Sequence, residues 1–333
     1  EAGLLTISPN PVEADDVINA AEASDGVVLS GTADPHAVVT VTMGGVSHTV
    51  VTGANGVWNA TYAAGEIAPG TYTASIEATT TDAAGNTRTA SDSVQVDTQV
   101  DNMSVSANPV GGDGVINATE RGQGVTITGT TEVGSTVIVS LGGVSAQATV
   151  DAAGNWTVPF NTNQILTGEQ NVALQITATD VAGNVKTISD TVEIDTLVNT
   201  LNFSAGNVAG DDVVNGAEAR EGISLSGNVE PGSTVLVDFH GTTLTATVTA
   251  SGNWSLDVPA SAIPAGSYDA DITVMATDAH NNMATISDTL RIDTDAPEGP
   301  VMASLTTIGD GVRGISIEQT DADVSVSQVD GNT

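Results

Sequence analysis

Trp58, Trp156 and Trp254 stand 98 residues apart, and the same interval carries four sets of acids along the chain. It joins Asp15, Asp113 and Asp211; Glu22, Glu120 and Glu218; Asp82, Asp180 and Asp278; and Asp97, Asp195 and Asp293. Landmarks that keep register over three copies, with no insertion between them, mean a tandem array. A unit of this length is a whole small domain with its own core, not a solenoid repeat of roughly 20–50 residues that needs neighbours. The copies fall at 1–98, 99–196 and 197–294, and residues 295–333 read as the partial or divergent start of a following domain.

Within each copy the apolar residues alternate. "AVVTVTM" (37–43), "STVIVSL" (135–141) and "STVLVDF" (233–239) occupy one place in the repeat, and "SDTVEIDT" (189–196) and "SDTLRIDT" (287–294) another. Period-two runs rich in Val, Ile and Thr are strands with one buried face. Turn signals part them, such as "GG" at 44–45 and 142–143, "AAGN" at 152–155 and "ASGN" at 250–253. No segment shows a clear 3.6-residue period. The fold class is therefore all-β: about seven short strands per copy, each copy an immunoglobulin-like sandwich. The joins, "VDTQVDN" (96–102), "IDTLVNT" (194–200) and "IDTDAPE" (292–298), are short and hold no Gly/Ser stretch, so the tandem is expected to be an elongated rod. With strands of about 10 residues rising ~3.3 Å each, three sandwiches in line would reach on the order of 100–130 Å.

Charge narrows the partners. Six Lys and Arg face 41 Asp and Glu, a formal net charge of -35. That excludes binding to nucleic acid through its phosphates and disfavours anionic membranes. A 40% share of hydrophobic residues, cleanly alternating, argues against disorder. There is no cysteine, so disulfides and thiolate metal sites are excluded, and a divalent metal is the staple left to a secreted domain of this size. No apolar run approaches the ~20 residues that span a bilayer, so no membrane insertion is expected. No signal peptide opens the chain at Glu1, and the pattern starts and stops in mid-repeat, as expected of a piece of something longer.

The acids recur as motifs. "ADDVINAAE" (14–22), "GDGVINATE" (112–120) and "GDDVVNGAE" (210–218) put hard oxygens on one loop: Asp15, Asp16, Asn19 and Glu22; Asp113, Asn117 and Glu120; Asp211, Asp212, Asn215 and Glu218. "TDAAGN" (81–86), "TDVAGN" (179–184) and the weaker "TDAHNN" (277–282) add Asp82, then Asp180 with Asn184, then Asp278. The closing "VDT", "IDT" and "IDT" add Asp97, Asp195 and Asp293, and a further acidic position holds Asp34, Glu132 and Glu230. Asp101 and Asp295 lie just past the first and third of those closings.

In an immunoglobulin-like sandwich the loop after the first strand lies at the chain's exit end, and the last hairpin lies at the entrance end. Asp15, Asn19, Glu22 and Asp97 are thus expected to face Asp180, Asn184 and Glu132. Asp113, Asn117, Glu120 and Asp195 are expected to face Asp278 and Glu230. Four or more carboxylates at one joint repel by about 1 kcal/mol per pair or more at contact distance. Calcium takes about 6–8 hard oxygens and would turn that repulsion into a clamp, so several calcium ions are expected, mainly at the joints. Two other readings stand beside it: Asp, Asn and Gly as ordinary turn formers, and an acidic surface adapted to salt. Neither explains acids fixed at repeat positions while other surface positions vary.

The tryptophans admit two readings, a core residue or a sugar-stacking platform. His36, His48, His240 and His280 share no spacing, and no "H-E-x-x-H", "G-x-S-x-G" or phosphate-cradling loop is present, so no enzyme is expected.

Taken together, "GDGVINATE", "GTTEVGSTVIVSLGG", "AAGNWTV", "ITATDVAGN" and "IDT" resemble the bacterial Ig-like repeats of giant, calcium-binding surface adhesins exported by type I secretion in Gram-negative bacteria. These include the giant non-fimbrial adhesin of Salmonella and the extender regions of ice-binding and biofilm adhesins. The resemblance covers residues 1–294. It implies a calcium-rigidified, monomeric stalk at the bacterial cell surface, whose partners are the neighbouring repeats and, through the parent adhesin, host glycans or proteins. It also implies joint ligands at Asp15, Asp113 and Asp211. Gly114 stands where the other copies have Asp16 and Asp212, and copy 3 lacks the Gly before Asn282. The alternative function is a module whose repeats themselves grip a glycan or host protein.

Overall fold

The computed structural model describes residues 3–106, 110, 112–204, 208–295, 315–320 and 323–328. They form two compact units, Glu1–Thr196 and Leu197–Thr333.

The first unit holds two sandwiches of tandem immunoglobulin-like type. In the first, strands Leu5–Ile7, Val27–Ala33 and Val57–Tyr62 make one sheet. Val17–Ile18, Thr87–Asp97, Thr71–Thr81, Val38–Met43 and Val46–Val51 make the other, in that order. In the second, Thr149–Val150, Asn155–Phe160, Val125–Thr130 and Ser104–Val105 face Val115–Ile116, Val185–Asp195, Glu169–Thr179, Thr136–Leu141 and Val144–Gln147. Alternation does what the sequence led one to expect: Val38–Met43 and Val57–Tyr62 bury every second residue. Each sandwich closes on its own core, around Leu29, Trp58 and Tyr62 in one and around Ile127, Trp156 and Phe160 in the other.

The second unit repeats the plan. Asn202–Phe203, Ile223–Asn228, Asn253–Val258 and Thr247–Val248 face Val213–Asn215, Met283–Asp293, Ser267–Thr277, Thr234–Phe239 and Thr242–Thr245, over a core that includes Val237, Phe239 and Trp254. The expectation for residues 295–333 lies largely outside the described residues; within it Ile315–Thr320 and Asp323–Gln328 pair as an antiparallel hairpin.

The tryptophans are 0–1% exposed and belong to the core. Each lies directly across the ladder from a glycine: Gly31, Gly129 and Gly227. A Cβ on Gly129 would sit 2.4 Å from Trp156 Cζ2 and 2.2 Å from the Ser104 carbonyl. The indole therefore occupies the space a side chain would take. Trp156 Nε1 donates to the Thr130 carbonyl and Trp254 Nε1 to that of Asn202.

Two features place the acidic loop. One short strand in each sandwich runs parallel to the last strand: Val17 aligns with Gln95, Val115 with Glu193, and Val213 with Arg291. A short helix follows it: α1 at Ala20–Asp25, α2 at Ala118–Gln123 and α3 at Glu218–Glu221. These helices are a correction to the strand-only reading. At four to six residues they are too short to display a 3.6-residue period.

Candidate metal centre at the joint of the first unit

Asp97 ends the last strand of the first sandwich. Glu132 follows the strand Val125–Thr130 of the second, and Asp180 opens its last hairpin turn. Each of the three offers a carboxylate oxygen, and these oxygens all lie within 4.8 Å of one another. Asp180 is buried, and Asp97 and Glu132 are half-buried. Partial burial pushes the Glu132 carboxyl up from its ordinary value, and the charges of Asp97, Asp180 and Asp101 push the same way, against a backbone hydrogen bond that lowers it. That bond is the Asp101 amide donating to Glu132 Oε2 at 3.2 Å. The single Thr71 hydroxyl lies 3.2 Å from Asp97 Oδ1 and 3.0 Å from Asp101 Oδ2 and shares its one proton between them, which places both acids beside the neighbouring strand.

The Asp180 turn is self-built. Asp180 Oδ1 accepts the Asn184 amide and Oδ2 accepts Asn184 Nδ2, both at 2.8 Å. The same turn forms at Asp82 with Asn86, where the bonds hold the Asp82 carboxyl below its ordinary value. In the second unit Asp278 and Asn282 make it with bonds of 2.9 and 2.8 Å. The missing glycine of that copy costs no geometry, because Asn281 takes φ 65° where Gly183 takes 91°.

The loop acids turn inward on their own backbone. Asp15, Asp113 and Asp211 accept from the amide two residues on, at 3.0, 3.0 and 3.1 Å. Asp16 and Asp212 accept from the amides of Val12 and Val208 at 2.8 and 2.9 Å. Asn19 Oδ1 accepts from Ala21 and Glu22 while Glu22 Oε2 accepts from Asn19, a reciprocal capping box at the start of α1. Asn117 with Glu120, and Asn215 with Glu218, do the same. Gly114 follows from backbone shape: Asp16, Gly114 and Asp212 all have positive φ, at 65°, 93° and 66°.

The structure thus brings Asp97, Glu132 and Asp180 together, with Asp101 and Asn184 beside them, while Asp15, Asp16, Asn19 and Glu22 accept backbone amides of their own loop. Asp34 is exposed at the far end of the first sandwich. Asp195, Asp293 and Asp295 lie at or just past the ends of last strands, and Glu230 Oε2 accepts the Asn199 amide at 2.9 Å within the second unit. Thr71 was not singled out in the sequence. Nor was the closing threonine, whose Oγ1 accepts the amide of Gly70, Gly168 or Gly266 at Thr98, Thr196 and Thr294. The 98-residue interval would have exposed the closing threonine.

The set fits a hard divalent cation: oxygen donors, three negative charges, and a carboxyl whose ionisation its neighbours oppose. Among the described residues, no helix is long and apolar enough to cross a membrane.

Residues 13–98 match the family of bacterial Ig-like domains and residues 114–196 that of bacterial Ig domains. Among curated proteins none matches the chain. Three solved structures are similar to it. One, a Ca2+-stabilized adhesin that helps an Antarctic bacterium reach out and bind ice, is 31% identical, with 90% of this chain and 76% of that chain covered and a TM-score of 0.42. A second, concerned with host cell surface retention of a 1.5-MDa bacterial ice-binding adhesin, is 27% identical over 88% of this chain and 98% of that one, with a TM-score of 0.42. A third, a bacterial immunoglobulin-like domain from the M. primoryensis ice-binding adhesin, is 34% identical over 29% of this chain and 98% of its own, with a TM-score of 0.24. With two of its sandwiches, about half of the chain, matched by these families, the chain belongs to the bacterial immunoglobulin-like domain proteins.

Proposed function

We propose that this chain is an extender segment of a large bacterial surface adhesin, and that calcium stiffens the joins between its sandwiches. The observation that carries the reading is the meeting of Asp97 from one sandwich with Glu132 and Asp180 from the next. Carboxylates from two bodies at such distances hold those bodies apart when bare and together when a cation lies among them. The 31% identity to an adhesin described as Ca2+-stabilized supports the choice of ion. Asp97, Glu132 and Asp180 are the direct ligands in this proposal. Asp101 shapes the site through Glu132 and Thr71, and the capping residues Asn19 and Glu22 hold the adjoining helix. The domain boundaries proposed are 98/99 and 196/197, with the third repeat ending at 294 and 295–333 opening a further domain.

The work is mechanical. Bound calcium supplies charge neutralisation at the joint, and the side chains supply placement. In calcium-poor cytoplasm the joint would be less stiff during export; at the cell surface, in millimolar calcium, it would tighten. The adhesive contact with host glycans or proteins belongs to the parent protein. Buried tryptophans remove the main support for glycan stacking by the repeats themselves.

The test is small-angle X-ray scattering of the whole chain in millimolar calcium and in excess chelator, alongside calcium titration calorimetry. A particle that stiffens with calcium, binding in the ~10^-4 to 10^-3 M range or tighter, is expected. Asp97→Asn with Glu132→Gln should lose at least one ion. Equal radii of gyration in both conditions would sink the reading.

A further inference from the structure

Asn184 does more than shape its own turn. Its Oδ1 accepts the amide of Ala20 at 2.8 Å, and its Nδ2 donates to the Asp97 carbonyl at 2.8 Å as well as to Asp180. Ala20 and Asp97 belong to the first sandwich, and Asn184 to the second. The residue is 6% exposed. Ala20 opens α1, and the first amides of a helix have no partner inside it. The capping residue Asn19 serves Ala21 and Glu22 but not Ala20. The amide left over is met from the neighbouring sandwich.

We propose that Asn184 is a metal-independent latch, whose one amide group fastens the start of α1 and the end of the last strand of the first sandwich to the hairpin turn of the second. The chemistry requires a side chain that both accepts and donates, which Asn supplies and Asp does not. The position must accept from Ala20 and donate to the Asp97 carbonyl at once, and a carboxylate can only accept. The latch is also preformed. The matching Asp82–Asn86 turn has both internal bonds, each 2.8 Å, while Asn86 is exposed. A turn that keeps its shape without a neighbour gives up little conformational freedom on docking. The joint then has two fastenings of different kind: hydrogen bonds that stand in the absence of calcium, and carboxylates that need a cation to stop repelling. Calcium would tighten a joint already in register.

The test uses the full chain, which has no native cysteine, with one spin label placed on each of the first two sandwiches. Distance distributions and hydrogen exchange are read in excess chelator. The native chain should give a narrow distribution and a protected Ala20 amide. Asn184→Ala should broaden the distribution and lower Ala20 protection about tenfold or more. Ala20→Pro should broaden it equally. Proline is well tolerated at the first helical position, so this variant removes the amide without touching the turn. Asn86→Ala should change neither readout. A distribution in chelator as broad for the native chain as for Asn184→Ala would overturn the latch. So would a variant that keeps the native distribution and protection, or one whose only defect is a lost calcium ion. A native chain equally narrow with and without calcium would overturn the calcium reading alone, so the two fail separately.

Discussion

At the scale of single residues, the pairing of tryptophan with glycine sets the tightest constraint. Gly129 faces Trp156 across the ladder, and an added methyl collides with both ring and backbone. Gly129→Ala should cost roughly 1–3 kcal/mol, read as a lower urea midpoint at unchanged slope. A variant as stable as the native chain would mean the indole can retreat. Tyr62 offers a second check. Its hydroxyl donates to the Val41 carbonyl at 3.0 Å. Burial first, and the charge of Glu66 second, push its pKa up from 10.0 to about 12. The folded form therefore holds its proton after the unfolded chain has lost it. The stability this gives is complete below the unfolded value near 10 and is lost as pH rises through about 12. Ultraviolet titration should show Tyr62 as the last of the three tyrosines to ionise, and Tyr62→Phe should remove that final step.

At the scale of elements, the strand runs were legible because period-two alternation is long and one-sided, as in Thr136–Leu141. The short helices were not, because a turn and a half carries no period. Their signal lay in the pair Asn117 and Glu120, which form a capping box in the structure. A side-chain oxygen three residues from another suits a cation or a capping box equally well, and the sequence alone does not say which backbone amides are near. Asp97, Asp180 and Glu132 were legible as one group because the order of strands in a sandwich fixes which end each loop occupies. That Asn184 faces the loop of Asn19 and Glu22 was legible in the same way; that it meets the Ala20 amide was not, since the backbone partner depends on how two domains abut. Two substitutions separate capping from other roles. Asn117→Ala should cost about 1 kcal/mol through loss of the cap, measured in chelator so that calcium plays no part. Gly114→Asp should lie within about 0.5 kcal/mol of neutral, since aspartate already holds that left-handed turn in the other two copies. A large loss would show that the turn of the second copy differs in kind.

At the scale of the whole molecule, the first unit should behave as two bodies whose coupling depends on the ion. In millimolar calcium its two sandwiches should melt in one calorimetric transition, and chelation should split this into two; Trp58→Phe and Trp156→Phe identify each by fluorescence. Two transitions in both conditions would mean that the joint transmits no stability. The short parallel strand has a consequence of its own. Val115–Ile116 runs alongside Glu193–Ile194, and the chain enters before the one and leaves after the other. Tension on the two ends slides these strands along each other, so their hydrogen bonds are loaded together instead of peeling open one at a time. Each sandwich therefore has a clasp set across the line of pull, and under tension the chain should yield in abrupt domain-sized steps, with this strand pair as the element that sets the force of each.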